Sequence, residues 1–251
     1  MPATPPIELP LIEIFSSIQG EGLLIGCRQL FVRLAECNLN CAYCDTPYRA
    51  GRSYRVEQKP GSGQFAAALN PANAADLTGL VRDWTEPFPG LHHALVLTGG
   101  EPLLHAETLC AWLPDVTRYL PVFLETNGTL PAALALVLPS LRWVSMDIKI
   151  ASTAGFATPW AQHEQFMHVA GETLCQVKIV VDDKTTRQEL LRAAELMNAA
   201  GQGVPLVLQP RTCRQRPALA ADRLLALQAE LLATYADVRV IPQVHAWLGV
   251  A

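Results

Sequence analysis

The chain has 251 residues, half of them hydrophobic and 17% charged, with 19 Lys and Arg against 23 Asp and Glu for a formal charge of −4. That composition excludes intrinsic disorder, and the length allows one barrel-sized domain with a large core. The weak acidity argues against a nucleic-acid partner and against an acidic-lipid surface, since both call for clustered Lys and Arg.

No apolar run approaches the ~20 residues that cross a bilayer. Residues 1–11 carry no Lys or Arg and have Pro at 2, 5, 6 and 10, so no signal peptide is expected and the localisation expected is cytoplasmic. Residues 12–22 begin as a strand and end in a Gly-punctuated loop. Residues 30–35 form a second strand that runs into Cys37. The stretch 47–73, rich in Gly and Pro, reads as an inserted loop whose Arg49, Arg52, Arg55 and Lys59 are solvated. A regular rhythm follows: helix 74–84, strand 94–98, helix 106–119, strand 122–126, helix 131–138, strand 143–149. Strand 174–181, helix 186–200, strand 204–209, helix 218–236 and a strand-like segment 238–244 complete it. Leu190, Ala194 and Met197 mark an apolar helical stripe, as do Leu224, Leu227, Leu231 and Tyr235.

This alternation predicts parallel β-structure with right-handed crossovers. Six or so parallel strands are too few for a closed eight-stranded barrel. The expected fold is therefore α/β, an open partial (β/α) barrel, with a doubly wound sheet as the alternative. Ligands then sit at the carboxyl ends of the strands. The unusual residues fall there: Cys37–Cys44, Thr98-Gly99-Gly100-Glu101-Pro102, Glu125-Thr126-Asn127-Gly128, Asp147 with Lys149, and Gln209-Pro210-Arg211.

Cys37, Cys41 and Cys44 have C-x3-C-x2-C spacing. Thiolates take soft metals, and a tight loop can aim three sulfurs at three irons of a cubane cluster. With no fourth thiolate nearby, one iron stays open to a ligand. The alternative is a zinc site completed by Cys27 or a distant His, although no second half-site is present. Cys110, Cys175 and Cys213 read as buried or half-buried thiols.

The cysteine spacing together with Gly-Gly-Glu-Pro, in this order on alternating β/α, resembles the radical S-adenosylmethionine (SAM) superfamily. Glu13-Ile14-Phe15, Ile18-Gln19-Gly20-Glu21-Gly22, Phe31-Val32-Arg33, Cys44-Asp45-Thr46 and the ending Arg239 to Gly249 are similar to the 7-carboxy-7-deazaguanine synthase (QueE) family. The resemblance implies one radical SAM domain over 1–251, with 47–73 as a variable insert. It implies a ring contraction of 6-carboxy-5,6,7,8-tetrahydropterin to 7-carboxy-7-deazaguanine with loss of ammonia, on the route to queuosine and other 7-deazapurines. SAM would chelate the open iron of a 4Fe–4S cluster, yield a 5′-deoxyadenosyl radical and be re-formed. A homodimer and an electron donor such as flavodoxin are implied as partners.

By the same resemblance, Thr46 is the Mg²⁺ ligand, with Tyr43 and Asp45 beside it on the cofactor loop. Gly99 and Gly100 admit the SAM amino group, and Glu101 accepts a hydrogen bond from it. Thr126, Asn127, Ser145, Asp147 and Lys149 are candidates for the SAM ribose and carboxylate. Many relatives read Ser-Pro-Lys where this chain reads Ser145-Met146-Asp147-Ile148-Lys149. Ile18, Gln19, Gly20 and Glu21 meet the pterin, whose carboxylate pairs with Arg33. Thr98 touches the same pocket, and Gln209, Gln243 and His245 close it. Two other functions fit part of the pattern: a glycyl-radical-enzyme activase and a non-catalytic metal or electron-transfer protein. Neither calls for the Gln19–Gly22 and Arg33 set.

Overall fold

The computed structural model describes residues 7–201 and 203–250, so residues 1–6 of the Pro-rich start lie outside it. One sheet dominates. Its strands are β1 (Leu11–Ile18), β2 (Arg28–Leu34), β3 (Ser53–Glu57), β4 (Phe65–Leu69) and β5 (Leu95–Gly99). They continue with β6 (Val122–Thr126), β7 (Trp143–Asp147), β8 (Leu174–Val181), β9 (Leu206–Pro210) and β10 (Val238–Val240). The spatial order is β10-β9-β8-β7-β6-β5-β2-β1-β3-β4, and it does not close on itself. Strands β2 and β5 to β10 are mutually parallel. β1 is antiparallel to β2, β3 is parallel to β1, and β4 is antiparallel to β3. The expected partial barrel is thus present.

The strands' two-residue period assigns their faces. Outward positions are apolar: Leu30, Val32 and Leu34 on β2, Leu95 and Leu97 on β5, Val177, Ile179 and Val181 on β8. They pack on helices Ala74–Thr85, Ala106–Val116, Pro131–Val137, Trp160–Ala170, Arg187–Ala200 and Ala221–Leu232 in one large core. Each such buried aliphatic side chain contributes about 1.5–3 kcal/mol. Inward positions differ. Phe15, Phe31, Val96 and Phe123 form a small separate cluster that includes no residue of those helices. Arg33, Thr98, Glu125, Asp147 and Gln209 occupy the same concave face and line a cavity there. Helices on one face only reject the doubly wound alternative.

Local chemistry sets the helix ends. Asn73 Oδ1 accepts from Ala75 N–H at 2.8 Å, and Thr186 with Glu189 forms a capping box before Arg187–Ala200. The expected stripes are core: Leu190, Ala194, Met197, Leu227, Leu231 and Tyr235 are buried, and Leu224 packs against them. Helix 218–236 is shorter than expected, Ala221–Leu232, and the strand at 238–244 stops at Val240.

The 47–73 segment is not a loop. It contributes the β3–β4 hairpin, registered on β1 through Glu13↔Arg55 and Ile14↔Val56. Its Pro60, Gly61 and Gly63 belong to the turn, and they outweighed the short strands in the composition. Arg55 is not merely solvated, since it pairs with Glu13 at 3.3 Å and lies 4.1 Å over the Phe65 ring. Buried Glu57 ties the hairpin down. Its carboxylate accepts from Ser16 N–H at 2.9 Å, Gly61 N–H at 3.0 Å and Gly63 N–H at 2.7 Å. Glu57→Ala leaves those donors unmatched and should cost roughly 1–3 kcal/mol. Denaturant midpoints check this against Glu107→Ala, an exposed helix position expected to change stability by under about 0.5 kcal/mol.

Candidate active site

The cysteine loop is seated by the backbone beneath it. β5 ends at Gly99 with φ 128°, a conformation open to glycine. A Cβ on Gly99 would stand 2.1 Å from the Leu34 carbonyl oxygen, and one on Gly100 would stand 1.7 Å from that of Glu36. Gly100 N–H donates to Leu34 O at 3.1 Å and Glu101 N–H to Glu36 O at 2.7 Å, closing the contact. Both glycines also line the cavity. Their first task is to carry the chain into Cys37.

Glu101 is fully buried beneath this contact. Its Oε1 accepts from Leu103 N–H at 3.0 Å and the Thr126 hydroxyl at 2.7 Å, and its Oε2 from Asn127 N–H at 2.8 Å. Burial pushes its carboxyl above the usual range. Glu101 therefore clamps the end of β6 and is not among the residues that line the cavity. Asn127 extends the clamp by donating to Asn38 Oδ1 at 2.9 Å, and Asn38 donates to Thr129 Oγ1 at 2.9 Å. Ser145 is likewise engaged within the sheet. It is buried, accepts from Gln176 Nε2 at 2.7 Å, and does not line the cavity.

The cavity measures about 610 Å³ and its walls gather the other expected residues. Cys37, Cys41 and Cys44 stand on one wall with Tyr43, Asp45 and Thr46. Thr126, Asn127, Asp147 and Lys149 follow from β6 and β7. Ile18, Gln19, Gly20, Glu21, Arg33 and Thr98 line the opposite side. Gln209, Gln243 and His245 complete it. The segment after β10 straps across: Val244 N–H donates to Gly20 O at 2.8 Å, and a Cβ on Gly20 would meet His245 Nδ1 at 2.3 Å.

A chain of opposite charges crosses the cavity. Lys149 Nζ lies 2.8 Å from Asp147 Oδ2, Lys178 Nζ lies 3.6 Å from the same oxygen, and Lys178 also contacts Glu21 Oε2. Gln243 Nε2 donates to Glu21 Oε1 at 2.7 Å. Burial would raise the Glu21 carboxyl, but Lys178 reverses this and holds it down at about 2. Burial would lower both ammoniums, and Asp147 first among their neighbours keeps them above the usual lysine range. Burial pushes the Tyr43 phenol up to about 12, with Lys149 Nζ 5.5 Å from its ring.

Beside this chain, Glu125 accepts from Thr98 Oγ1 at 2.8 Å and from Gln19 Nε2 at 2.9 Å. Arg33 Nε donates to Glu13 Oε1 at 3.0 Å. Asp147 and Gln209 line the cavity, and their Oδ1 and Oε1 are buried acceptors with no donor among the described residues. Lys178 escaped the sequence reading, although a lone charge in an apolar strand was a usable signal, and Glu13 and Glu125 entered it only within their motifs, without a role in the site. His163 entered it only as one of the distant histidines considered for zinc. Fully buried, it meets Gly128 O through Nδ1 at 3.0 Å and accepts from Lys149 N–H through Nε2 at 3.2 Å. Burial lowers it to about 4, so it stays neutral and braces the strand end that carries Lys149.

The donor set fits an iron–sulfur cluster. Cys37, Cys41 and Cys44 are free thiols on one cavity wall. Burial raises Cys37 and Cys41, and each would feel the others' charge as thiolates, a repulsion that bound iron relieves. No three His, Cys, Asp or Glu groups among the described residues converge to hold a single ion. Thiols spread along a loop suit separate irons. The histidines considered for zinc are committed elsewhere, His163 as above and His105 to Ala35 O at 3.2 Å. Cys27 does not line the cavity, and Cys110 and Cys213 are exposed instead of buried. Cys175 is half-buried, and burial pushes it up to about 12. Gly100→Ala should force the Cys37 stem off β5 and cost about 1–3 kcal/mol. Iron retained per chain after reconstitution, read beside the thermal midpoint, checks this, and both should fall.

The radical SAM superfamily model matches residues 33–209. The 7-carboxy-7-deazaguanine synthase of Geobacter sulfurreducens is 44% identical over 242 residues, covering 95% of this chain and 96% of that protein. The synthase of Methanothermobacter thermautotrophicus is 34% identical over 261 residues, covering 96% and 97%. Among solved structures, QueE from Escherichia coli aligns with a TM-score of 0.58 at 20% identity, covering 95% of both chains, and so shares the fold. With the family model spanning the barrel and such relatives spanning nearly the whole chain, the protein belongs to the radical SAM superfamily and, within it, to the 7-carboxy-7-deazaguanine synthase (QueE) family.

Proposed function

We propose that this cavity contracts 6-carboxy-5,6,7,8-tetrahydropterin to 7-carboxy-7-deazaguanine with release of ammonia, a step in 7-deazapurine and queuosine biosynthesis. Membership in the superfamily implies a 4Fe–4S cluster and SAM. When bound, these supply the one-electron chemistry that removes a hydrogen atom from the substrate. Cys37, Cys41 and Cys44 would hold the cluster. Gly99, Gly100, Thr126, Asn127, Asp147 and Lys149 would hold SAM, with Asp147 Oδ1 ready to accept from a ribose hydroxyl.

The observation that carries the substrate reading is the polarity across neighbouring strands. Arg33 pairs in register with Thr98, and Thr98 bonds to Glu125, so a cation and a carboxylate flank one hydroxyl. Two strand spacings separate Arg33 from Glu125, on the order of 10 Å. Glu13 is shared between Arg33 and Arg55, which leaves that flank positive. Glu125, Glu21 and Gln19 make the other flank rich in acceptors. A carboxylate at one end and an aminopyrimidinone at the other match this arrangement. Arg33 engages Glu13 through Nε, which leaves its Nη groups for a bidentate pair. Glu21 and Glu125 accept from the amino and ring N–H groups, and Gln209 Oε1 adds another acceptor.

The proposal extends to Mg²⁺ at Thr46, where one hydroxyl and the substrate carboxylate would join several waters. Thr46 lines the cavity and its hydroxyl meets Asp45 Oδ1 at 3.3 Å. It extends also to a homodimer, an electron donor such as flavodoxin, and a cytoplasmic location. No helix among the described residues is long and apolar enough to cross a membrane.

The test is anaerobic reconstitution with iron and sulfide, then SAM, reductant and the pterin, followed by product mass spectrometry. Formation of 7-carboxy-7-deazaguanine is expected, and SAM cleavage without it would overturn the reading. In the same assay Arg33→Lys should lose the fork geometry and lower kcat/KM about a hundredfold or more, with SAM binding retained. A separate titration concerns the metal. Thr46→Ala should raise the Mg²⁺ requirement without changing the iron content, and an unaltered Mg²⁺ dependence would remove Thr46 from that site.

A further inference from the structure

Strand β8 reads Leu-Cys-Gln-Val-Lys-Ile-Val-Val, and Lys178 is its sole charged residue. It is 8% exposed, points into the cavity and sits opposite Asp147 in the β7–β8 register. A buried ammonium is costly unless it is paired. Its partners belong to different halves of the site. Glu21 follows β1 in the segment facing the pterin. Asp147 pairs with Lys149 at 2.8 Å, and Lys149 lies over Tyr43 of the cysteine loop.

We propose that Lys178 is a positioning residue: it fixes the Glu21 carboxylate as the acceptor for the pterin's amino edge and joins that subsite to Asp147 and Lys149. The proposal rests on the pterin reading above. Lys178 takes Glu21 Oε2 and Gln243 takes Oε1, so the carboxylate is oriented from both sides, with lone pairs left for a ligand. Glu125 from β6, Asp147 and Lys149 from β7, and His245 from the closing strap are the other ionisable groups acting on this pair. Removing Lys178 takes away the largest influence that holds the Glu21 carboxyl down and leaves burial, which raises it, opposed only by Gln243 and His245. A falling pH then protonates Glu21, and the acceptor is lost. A side chain of merely structural use would produce no such pH dependence.

The experiment measures binding of 6-carboxy-5,6,7,8-tetrahydropterin to reconstituted protein with SAM but without reductant, so that nothing turns over. Calorimetry runs at about pH 6, 7 and 8. Lys178→Met should weaken pterin binding roughly ten- to hundredfold at the highest pH, the range for a lost charge-assisted contact. The ratio to the native protein should worsen further as pH falls. SAM affinity should stay within about threefold, and Lys178→Arg should recover most of the binding. Should Lys178→Met fail to fold, the double variant Glu21→Gln/Lys178→Met carries the test, because it removes the unpaired carboxylate. Its weakened binding should keep a constant ratio to native at every pH. Native-like binding by Lys178→Met, a loss equal at all pH values, or a pH-dependent ratio in the double variant overturns the proposal. Native protein that binds SAM but no pterin overturns the substrate reading itself.

Discussion

The close approach of two backbones organises this site. Gly99–Gly100 lies against Leu34–Glu36, at distances no Cβ could share. Because β5 and β2 are parallel neighbours, their carboxyl ends emerge together, and the contact converts that adjacency into a defined exit for Cys37. Glu101 then gathers the end of β6, and Asn127 reaches back to Asn38. Three segments distant in sequence are thus held together by hydrogen bonds. A cluster loop mounted this way can have an exposed Cys44 at its rim and still be anchored at its base.

The concave face answers a second constraint. A face without helices has little apolar surface to bury against, so its floor is a small aromatic cluster and its upper wall is charged. Charges there are affordable only when matched. Glu21, Lys178, Asp147 and Lys149 alternate in sign, and each acid touches a base. Replacing one member leaves its partner buried and uncompensated, which costs more than the pair itself contributes. Rigidity and cavity polarity therefore come from the same residues.

The strands and their direction were legible from the apolar runs at 94–98, 122–126 and 174–181, because outward positions must meet helices. The cysteine loop was legible because its spacing is local. The β3–β4 hairpin was not: its Gly and Pro content reflects a turn, while its strands pair with residues some forty positions away. Glu101 was expected at the ligand as a member of Gly-Gly-Glu-Pro, and Ser145 as part of the segment compared with Ser-Pro-Lys. Whether a side chain meets ligand or the neighbouring strand depends on the pleat and on partners such as Thr126 and Gln176, which spacing does not encode. Lys178 lay in a segment without a motif, although it was a charge among apolar residues, while His163 sat between polar helix neighbours and gave no such signal.

The departure from Ser-Pro-Lys gains a physical sense from this network. Asp147 lies in register with Lys178, so the carboxylate found here on β7 can neutralise a buried ammonium on β8. Asp147 Oδ2 serves both Lys149 and Lys178, while Oδ1 is a buried acceptor with no donor among the described residues. One side chain can thus satisfy two cations and still have an acceptor oxygen to spare. A chain with Asp147 therefore has reason to carry Lys178. Charge on adjacent inward positions of β7 and β8 should accordingly appear or vanish as a unit.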